Sequence, residues 1–516
     1  DAVAGVVNII TKANYEGNQL TLRGGTTTRG GGDTGRVQWT GGKVGSNWSV
    51  TYAFEYLNRE GILASQRDFM DSYYDNPAFK GKSDYATAVS GVYLYRNGTG
   101  YIWPTATGYS TSVAALQAAC AATSSEFTPY NSSASVSNST PNRCGYFGYP
   151  ATQSIQNSFD KTSGYLAGTY DLGGSTQLYG QALVTQSSNT GLSSTQFWQT
   201  AGYVYSTNTK VPGYIQAQRI FTPDEVGGPQ KTSYDERSAN LNFGIRGTMF
   251  SDRFDWDASV SYSRYDFESK SPRFLTNKIN DYFLGDLLGY TSGGYGIYNV
   301  NIDRIFSPLS PETYQSLITT VKTKGDSEST QAQFSMSGDL FELPAGPLSM
   351  AFVAEASSQK YSLTPDVRST PDYEGEDSIY NLTSTGGGGK RSRYAAGLEF
   401  SVPIIDSLKA TLAGRYDFYD DVTDVNGAFT WSSGLEWRPF QSLLLRGNYA
   451  TSFRALPASI PPSPINTSAA STALIRSPRV APATAITPTL YSRRVKATRS
   501  SRKKPASPTR SVSCGT

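Results

Sequence analysis

Apolar and polar side chains alternate with a period of two along much of the chain, which puts them on opposite faces of β-strands. From Gln441 to Arg454, Leu443, Leu445, Tyr449 and Phe453 share one face, and Arg446, Asn448, Ser452 and Arg454 the other. Leu408, Leu412, Tyr416 and Phe418 oppose Lys409, Thr411, Arg415 and Asp417 in the same way. Phe254, Trp256, Val260 and Tyr262 oppose Asp255, Asp257, Ser259 and Ser261, while Leu241, Phe243 and Ile245 oppose Asn240, Asn242 and Arg246. Phe334, Met336 and Leu340 oppose Gln333, Ser335, Ser337 and Asp339. Such a sheet has one apolar and one wet face. That description fits a soluble sandwich with its apolar side inward as well as a membrane barrel with that side outward.

Strand length and connection pattern separate the two. The pattern predicts about thirteen strands, starting near 19, 33, 46, 160, 174, 234, 252, 326, 346, 391, 406, 426 and 441. Most run past the five or six residues usual in soluble sheets. Tight turns at Gly173-Gly174, Leu343 to Pro347, Ile404 to Ser407 and Pro439 to Gln441 take turns with long stretches near 61–158, 188–232, 270–325 and 363–389. Repeated loops of that length are rare in compact soluble domains, whereas outer-membrane barrels combine short periplasmic turns with long extracellular loops. The expected fold class is therefore all-β, an antiparallel transmembrane β-barrel.

Composition agrees. No run of 18 apolar residues exists; the longest candidate, Val113 to Ala122, is interrupted by Gln117, so no helix of this sequence spans a bilayer. A hydrophobic fraction of 38% is no objection to a barrel, whose other face is polar, and 13% aromatic residues suits girdles at the two membrane surfaces.

The opening Asp1 to Lys12, DAVAGVVNIITK, supplies a family likeness. A small-residue turn leads into Gly5-Val6-Val7-Asn8-Ile9-Ile10-Thr11-Lys12, which resembles the last strand of the plug domain in TonB-dependent outer-membrane receptors. Ser452-Phe453-Arg454-Ala455 resembles that family's Ser-Phe-Arg-Ala-Pro segment, although Leu456 here precedes Pro457. The resemblance covers residues 1 to about 455. It implies residues 1–12 as the end of a plug and 13–455 as part of a barrel that has twenty-two strands in the family, with most of the plug and roughly nine strands not represented. It further implies the outer membrane of a Gram-negative bacterium as location, with membrane lipid, an extracellular small-molecule ligand and a TonB-type energising protein as partners. The segment through which the family contacts that protein is not represented either.

Charge divides the chain. The stretch from Pro457 to Thr516 holds ten of the 45 Lys and Arg and no Asp or Glu, leaving 35 cationic against 42 anionic residues before it. Residues 456–516 are a basic Pro/Ser-rich tail without alternation, expected to be disordered or the product of a shifted reading frame.

Candidate chemistry is sparse. The chain has no histidine, which removes the commonest general base and metal ligand, and no catalytic residue, cofactor, metal site or nucleic-acid partner is expected. The acidic run Asp372, Glu374, Glu376, Asp377 reads as a solvated loop. Asp420, Asp421, Asp424, Asn426 and Gly427 miss the EF-hand spacing and read as a hairpin. Gly386 to Gly389 reads as a flexible loop. Cys120 and Cys144 share the longest loop and are the expected disulfide. Tyr290, Tyr295 and Tyr298, with Tyr101 and Trp103 of an earlier loop, are the candidate ligand-binding residues, since flat amphipathic rings stack on sugars or aromatic siderophores; a girdle or plain loop packing suits them as well.

Three functions remain in play. The first is a receptor for energised uptake of a scarce nutrient, a siderophore, oligosaccharide or similar. The second is a passive porin or adhesin barrel, and the third a barrel enzyme or soluble β-rich carbohydrate-binding protein. The twelve opening residues favour the first.

Overall fold

A computed structural model describes residues 15–75, 89, 91–132, 140–193, 195–422, 426–453 and 455. The readings for residues 1–12 and 456–516 fall outside them. Thirteen strands form one antiparallel sheet in which each pairs with the next in sequence. They are β1 Gly17–Gly25, β2 Thr34–Val44, β3 Trp48–Arg59, β4 Ser158–Gly173, β5 Thr176–Leu192, β6 Lys231–Met249, β7 Phe254–Phe274, β8 Ile318–Leu343, β9 Gly346–Thr364, β10 Gly387–Ile405, β11 Leu408–Asp420, β12 Gly427–Phe440 and β13 Leu443–Ala450. All thirteen lie where the alternation predicts them. β7 and β8, at 21 and 26 residues, far exceed the ten or so needed to cross a bilayer.

Register carries the alternation across the sheet. Gly180 of β5 pairs with Phe243 of β6, which pairs with Val260 of β7 and through it with Ala332 of β8. One residue along, Gln181 pairs with Asn242, Asn242 with Ser261, and Ser261 with Gln331. A single strand would tolerate a slip by one residue; twelve consecutive ladders would each exchange their faces, so the register is strongly fixed. The apolar face stays bare: Phe243 is 61% exposed, Val260 54% and Leu412 49%.

The polar face lines a concavity of about 1340 Å³ bordered by Asp257, Ser335, Ser337, Glu399, Arg415 and Asn448. Several charges of the polar face pair across strands. Glu355 of β9 accepts from Arg393 of β10 at 2.9 Å and from Arg415 of β11, which also holds Asp417 at 2.9 Å. Glu55 of β3 takes Arg36 and, at 3.6 Å, Lys161.

Local departures have local causes. The alternation places Phe453 on the outer face with Leu443, Leu445 and Tyr449, but β13 ends at Ala450 and the Phe453 ring packs 5.8 Å from Tyr419, a polar-face residue. A register shift between Asp339 and Phe341 breaks the alternation at Leu340. Gly387, Gly388 and Gly389 are no flexible loop; they open β10 and pair with Leu363, Ser362 and Tyr361. Gly388 is needed there, since a Cβ would meet the Tyr361 carbonyl at 2.7 Å. At the β4–β5 turn, Gly173 and Gly174 adopt φ of 97° and 61°, left-handed values that glycine reaches without steric cost.

Candidate functional site

Because the strands run alternately up and down, the long connections 60–157, 193–230, 275–317 and 365–386 all leave one rim of the sheet, and the tight turns occupy the other. Sequence predicts these stretches as loops without elements of their own. Instead the first three build a cap with its own sheet, in the order Leu287–Tyr290, Gly296–Tyr298, Val204–Ser206, Gly213–Ile220, Gly91–Arg96, Arg143–Tyr146, Phe127–Tyr130. Val92 and Leu94 from the first connection, Trp198 and Ile215 from the second, and Phe283, Ile305 and Tyr314 from the third are wholly buried in one core. The Trp198 ring stacks on Phe283 at 4.4 Å and its indole N–H donates to Asn280 at 2.9 Å. Tyr380 of the fourth connection donates its hydroxyl to the Gln199 carbonyl at 2.6 Å, fastening that loop to the cap.

Two devices stiffen the cap. Arg219 and Glu225 form a buried ion pair in which Glu225 also accepts from the backbone N–H of Thr222 at 2.9 Å and Leu309 at 3.0 Å. The pair thereby ties the second connection to the third, and burial lowers the Arg219 pKa against the pull of Glu225. Cys120 lies on a helix, Val113–Thr123, whose N-cap Ser112 accepts from Ala115. Cys144 lies on the strand Arg143–Tyr146, and the two are joined with their Cα atoms 5.3 Å apart.

The cap sheet has two unlike faces. Val92, Leu94, Ile215 and Ala217 point into the core. The alternate residues Tyr93 and Tyr95 pair with Gln218 and Gln216, and Tyr95 pairs with Tyr101 on its other side. The Tyr101 ring meets Tyr93 edge-on at 5.9 Å and Tyr95 at 5.3 Å. Arg143 lies 4.5 Å from the Tyr93 ring centre and 5.7 Å from that of Tyr101, and donates to the Tyr101 hydroxyl at 3.1 Å. The aromatic chain continues through Tyr205, Tyr214 and Tyr295, with centres 5.1 and 5.4 Å apart. Tyr130 closes the other end: it lies over Gly91 and Gly145, where a Cβ would come within 2.8 and 2.7 Å of its side chain. Burial raises its phenol to about 12 despite the nearby Arg143 cation, and burial first, then the carboxylates Glu126 and Asp224, raises Tyr146 to about 12.

The five candidate ligand residues have different places. Tyr101 is half-buried at the centre of this face and, like Tyr93, also packs against the core. Tyr295 is 42% exposed at its far end, and Tyr290, which pairs with the adjoining Gly296, is 67% exposed. Tyr298 packs against the core. Trp103 is 2% exposed and meets Phe306 at 6.0 Å, so its ring fills the core and offers no face to a ligand. Composition cannot distinguish a core ring from a binding ring when each loop strand is two to eight residues long. Arg143, Gln216 and Gln218 give no sequence signal, because the strand pairings that unite them join positions about 50 and about 120 residues apart. Among the described residues no group of acidic or cysteine side chains is arranged to hold a metal, and no helix is long and apolar enough to cross a membrane, which says nothing of crossing by strands.

The solved structures to which the chain is similar include three receptors. A ferric enterobactin receptor of Pseudomonas aeruginosa, determined with enterobactin, is 13% identical, with 88% of this chain matched to 47% of that one at a TM-score of 0.43. The ferripyoverdine receptor of the P. aeruginosa outer membrane is 10% identical over 87% of this chain and 44% of its own, TM-score 0.45. A siderophore receptor of Acinetobacter baumannii is 12% identical over 88% and 45%, TM-score 0.42. The chain thus spans under half the length of each of these receptors. No curated protein sequence matches it. The family model described as TonB dependent receptor-like, beta-barrel, matches residues 184–487, more than half of the sequence, and runs from β5 through β13 and beyond. With its thirteen-strand sheet, apolar on one face and polar on the other, this chain belongs to the TonB-dependent receptor β-barrel family.

Proposed function

We propose that the chain acts in a receptor for energised uptake of a scarce nutrient across the outer membrane of a Gram-negative bacterium, the folded cap capturing the ligand outside and the polar concavity forming part of its way in. One observation carries the reading: all the long connections leave one rim, and three of them merge around a single core with a tyrosine-rich face. A passive porin has no use for so elaborate a structure over its mouth. The bare apolar face of the sheet supports lipid as its partner, since solvent exposure of so many large apolar groups disfavours a soluble monomer. A TonB-type protein would supply energy through the family's contact segment in the full-length receptor. The polar concavity is where a mobile plug would be accommodated.

Topology tests this directly. In a Cys514→Ser background, Ser193→Cys in a long connection should react with a membrane-impermeant maleimide on intact cells, and Ser175→Cys in a tight turn only after the outer membrane is permeabilised. Equal labelling of both on intact cells, or absence of the chain from the outer-membrane fraction, contradicts the proposal.

A further inference from the structure

We infer that the tyrosine face of the cap binds an acidic oligosaccharide, with Arg143 receiving a carboxylate of one sugar unit; this rests on the receptor reading and names the ligand class of that receptor's cap. The starting point is an unbalanced charge. Arg219, the other arginine deep in the cap, is met by Glu225. Arg143 is half-buried, and among the described residues no carboxylate forms an ion pair with it; its inner Nε–H, like that of Arg219, is buried without a hydrogen-bond partner. The two tyrosine rings beside it stabilise a cation but supply no counter-charge. A partly desolvated guanidinium without a counter-charge is a ready partner for a planar carboxylate, which it binds with charge-assisted geometry.

The surroundings specify what carries that carboxylate. Tyr93, Tyr95, Tyr101, Gln216 and Gln218 share the face with Arg143 and include no acid. Aromatic rings offer flat apolar surface to the C–H faces of pyranose rings, while phenol and amide groups exchange hydrogen bonds with hydroxyls in both directions. Side chains two apart on a strand lie roughly 7 Å from each other, so Tyr93 and Tyr95 present successive rings to successive units of an extended ligand. The further row Tyr205, Tyr214 and Tyr295 lengthens this track. Among the described residues that share this face Arg143 alone is cationic, which suits a ligand of low charge density better than a compact polyanion, for which several converging cations are needed. The site is also stiff. Arg143 adjoins the Cys120–Cys144 crosslink, and Tyr130 packs tightly over Gly91 and Gly145, so little ordering remains to oppose binding.

The test is titration of the full chain in detergent micelles with trigalacturonate, maltotriose and a ferric tris-catecholate complex, followed by calorimetry and tyrosine fluorescence. Trigalacturonate should bind at least tenfold more tightly than maltotriose and weaken as salt is raised. Arg143→Gln should lower trigalacturonate affinity at least tenfold, weaken maltotriose much less and be partly rescued by Arg143→Lys. Tyr95→Ala, which keeps the cation, should weaken both sugars and guards against an Arg143 variant that does not fold. Equal affinity for the two sugars, indifference to Arg143→Gln, preference for the ferric complex, or no binding of any probe each overturns the inference. The receptor reading would stand or fall separately, on the labelling of Ser193→Cys and Ser175→Cys.

Discussion

Arg219 and Glu225 face each other in the centre of the cap with 0% and 3% of their side chains exposed. Their attraction offsets the cost of taking both charges out of water, so losing one partner leaves the other stranded. Glu225→Gln or Arg219→Met should destabilise the cap by about 3–5 kcal/mol, read as a lowered urea midpoint of tryptophan fluorescence, since Trp103 and Trp198 are both buried there. The double variant Arg219→Met/Glu225→Leu should recover much of that loss. A neutral single variant would contradict the role given to this pair.

The crosslink yields a second expectation. Joining residues 24 apart removes conformations from the unfolded chain, and Cys120→Ser with Cys144→Ser should cost the cap about 3 kcal/mol. Thiol labelling of the unreduced, denatured protein should modify Cys514 alone. Three labelled cysteines would show that the crosslink does not form in the cell.

Cap stability should also fall in strong base. Burial raises the phenols of Tyr73, Tyr130 and Tyr146 from 10.0 to about 12. Below pH 10 these groups are neutral whether the cap is folded or not, and their contribution is complete. Between 10 and 12 the unfolded chain ionises and the folded cap does not, so the contribution drains away as pH rises. Absorbance at 295 nm should show a late group of tyrosines titrating together with loss of tryptophan burial. Ionisation of all tyrosines near pH 10 with the cap intact would contradict this.

Most of the sheet was legible in the sequence, and the cap was not. Leu241, Phe243 and Ile245 against Asn240, Asn242 and Arg246 announce a strand because every residue of a long segment obeys the same period, and the turn at Gly173-Gly174 is marked by the residue its backbone needs. The cap draws its core from Leu94, Trp198 and Phe283, one or two residues at a time from three distant segments. Such a core has no local period. Trp103 shows the consequence, for a loop tryptophan reads alike whether it awaits a ligand or fills a core. The exception was the pairing of Cys120 with Cys144, the two cysteines that share one loop.

Substitutions on the two faces of β6 should have unlike costs. Phe243→Arg puts a charge on the bare apolar face and should cost about 2–4 kcal/mol if that face meets the middle of a bilayer. Asn242→Arg, on the polar face, should be nearly neutral. Folding yield into lipid vesicles, scored by protease protection, would separate them; equal losses would argue against lipid on the apolar side.

The most direct measurement of the central claim, that the apolar face of this sheet meets lipid and the polar face water, is a spin-label scan through β6 of the full chain in lipid bilayers. Labels at Leu241, Phe243 and Ile245 should collide with lipid-soluble oxygen, and labels at Asn240, Asn242 and Arg246 with a water-soluble nickel chelate, giving two opposed period-two profiles. If instead labels at Leu241, Phe243 and Ile245 are shielded from both reagents, as in a dry core between two sheets, the membrane account is wrong.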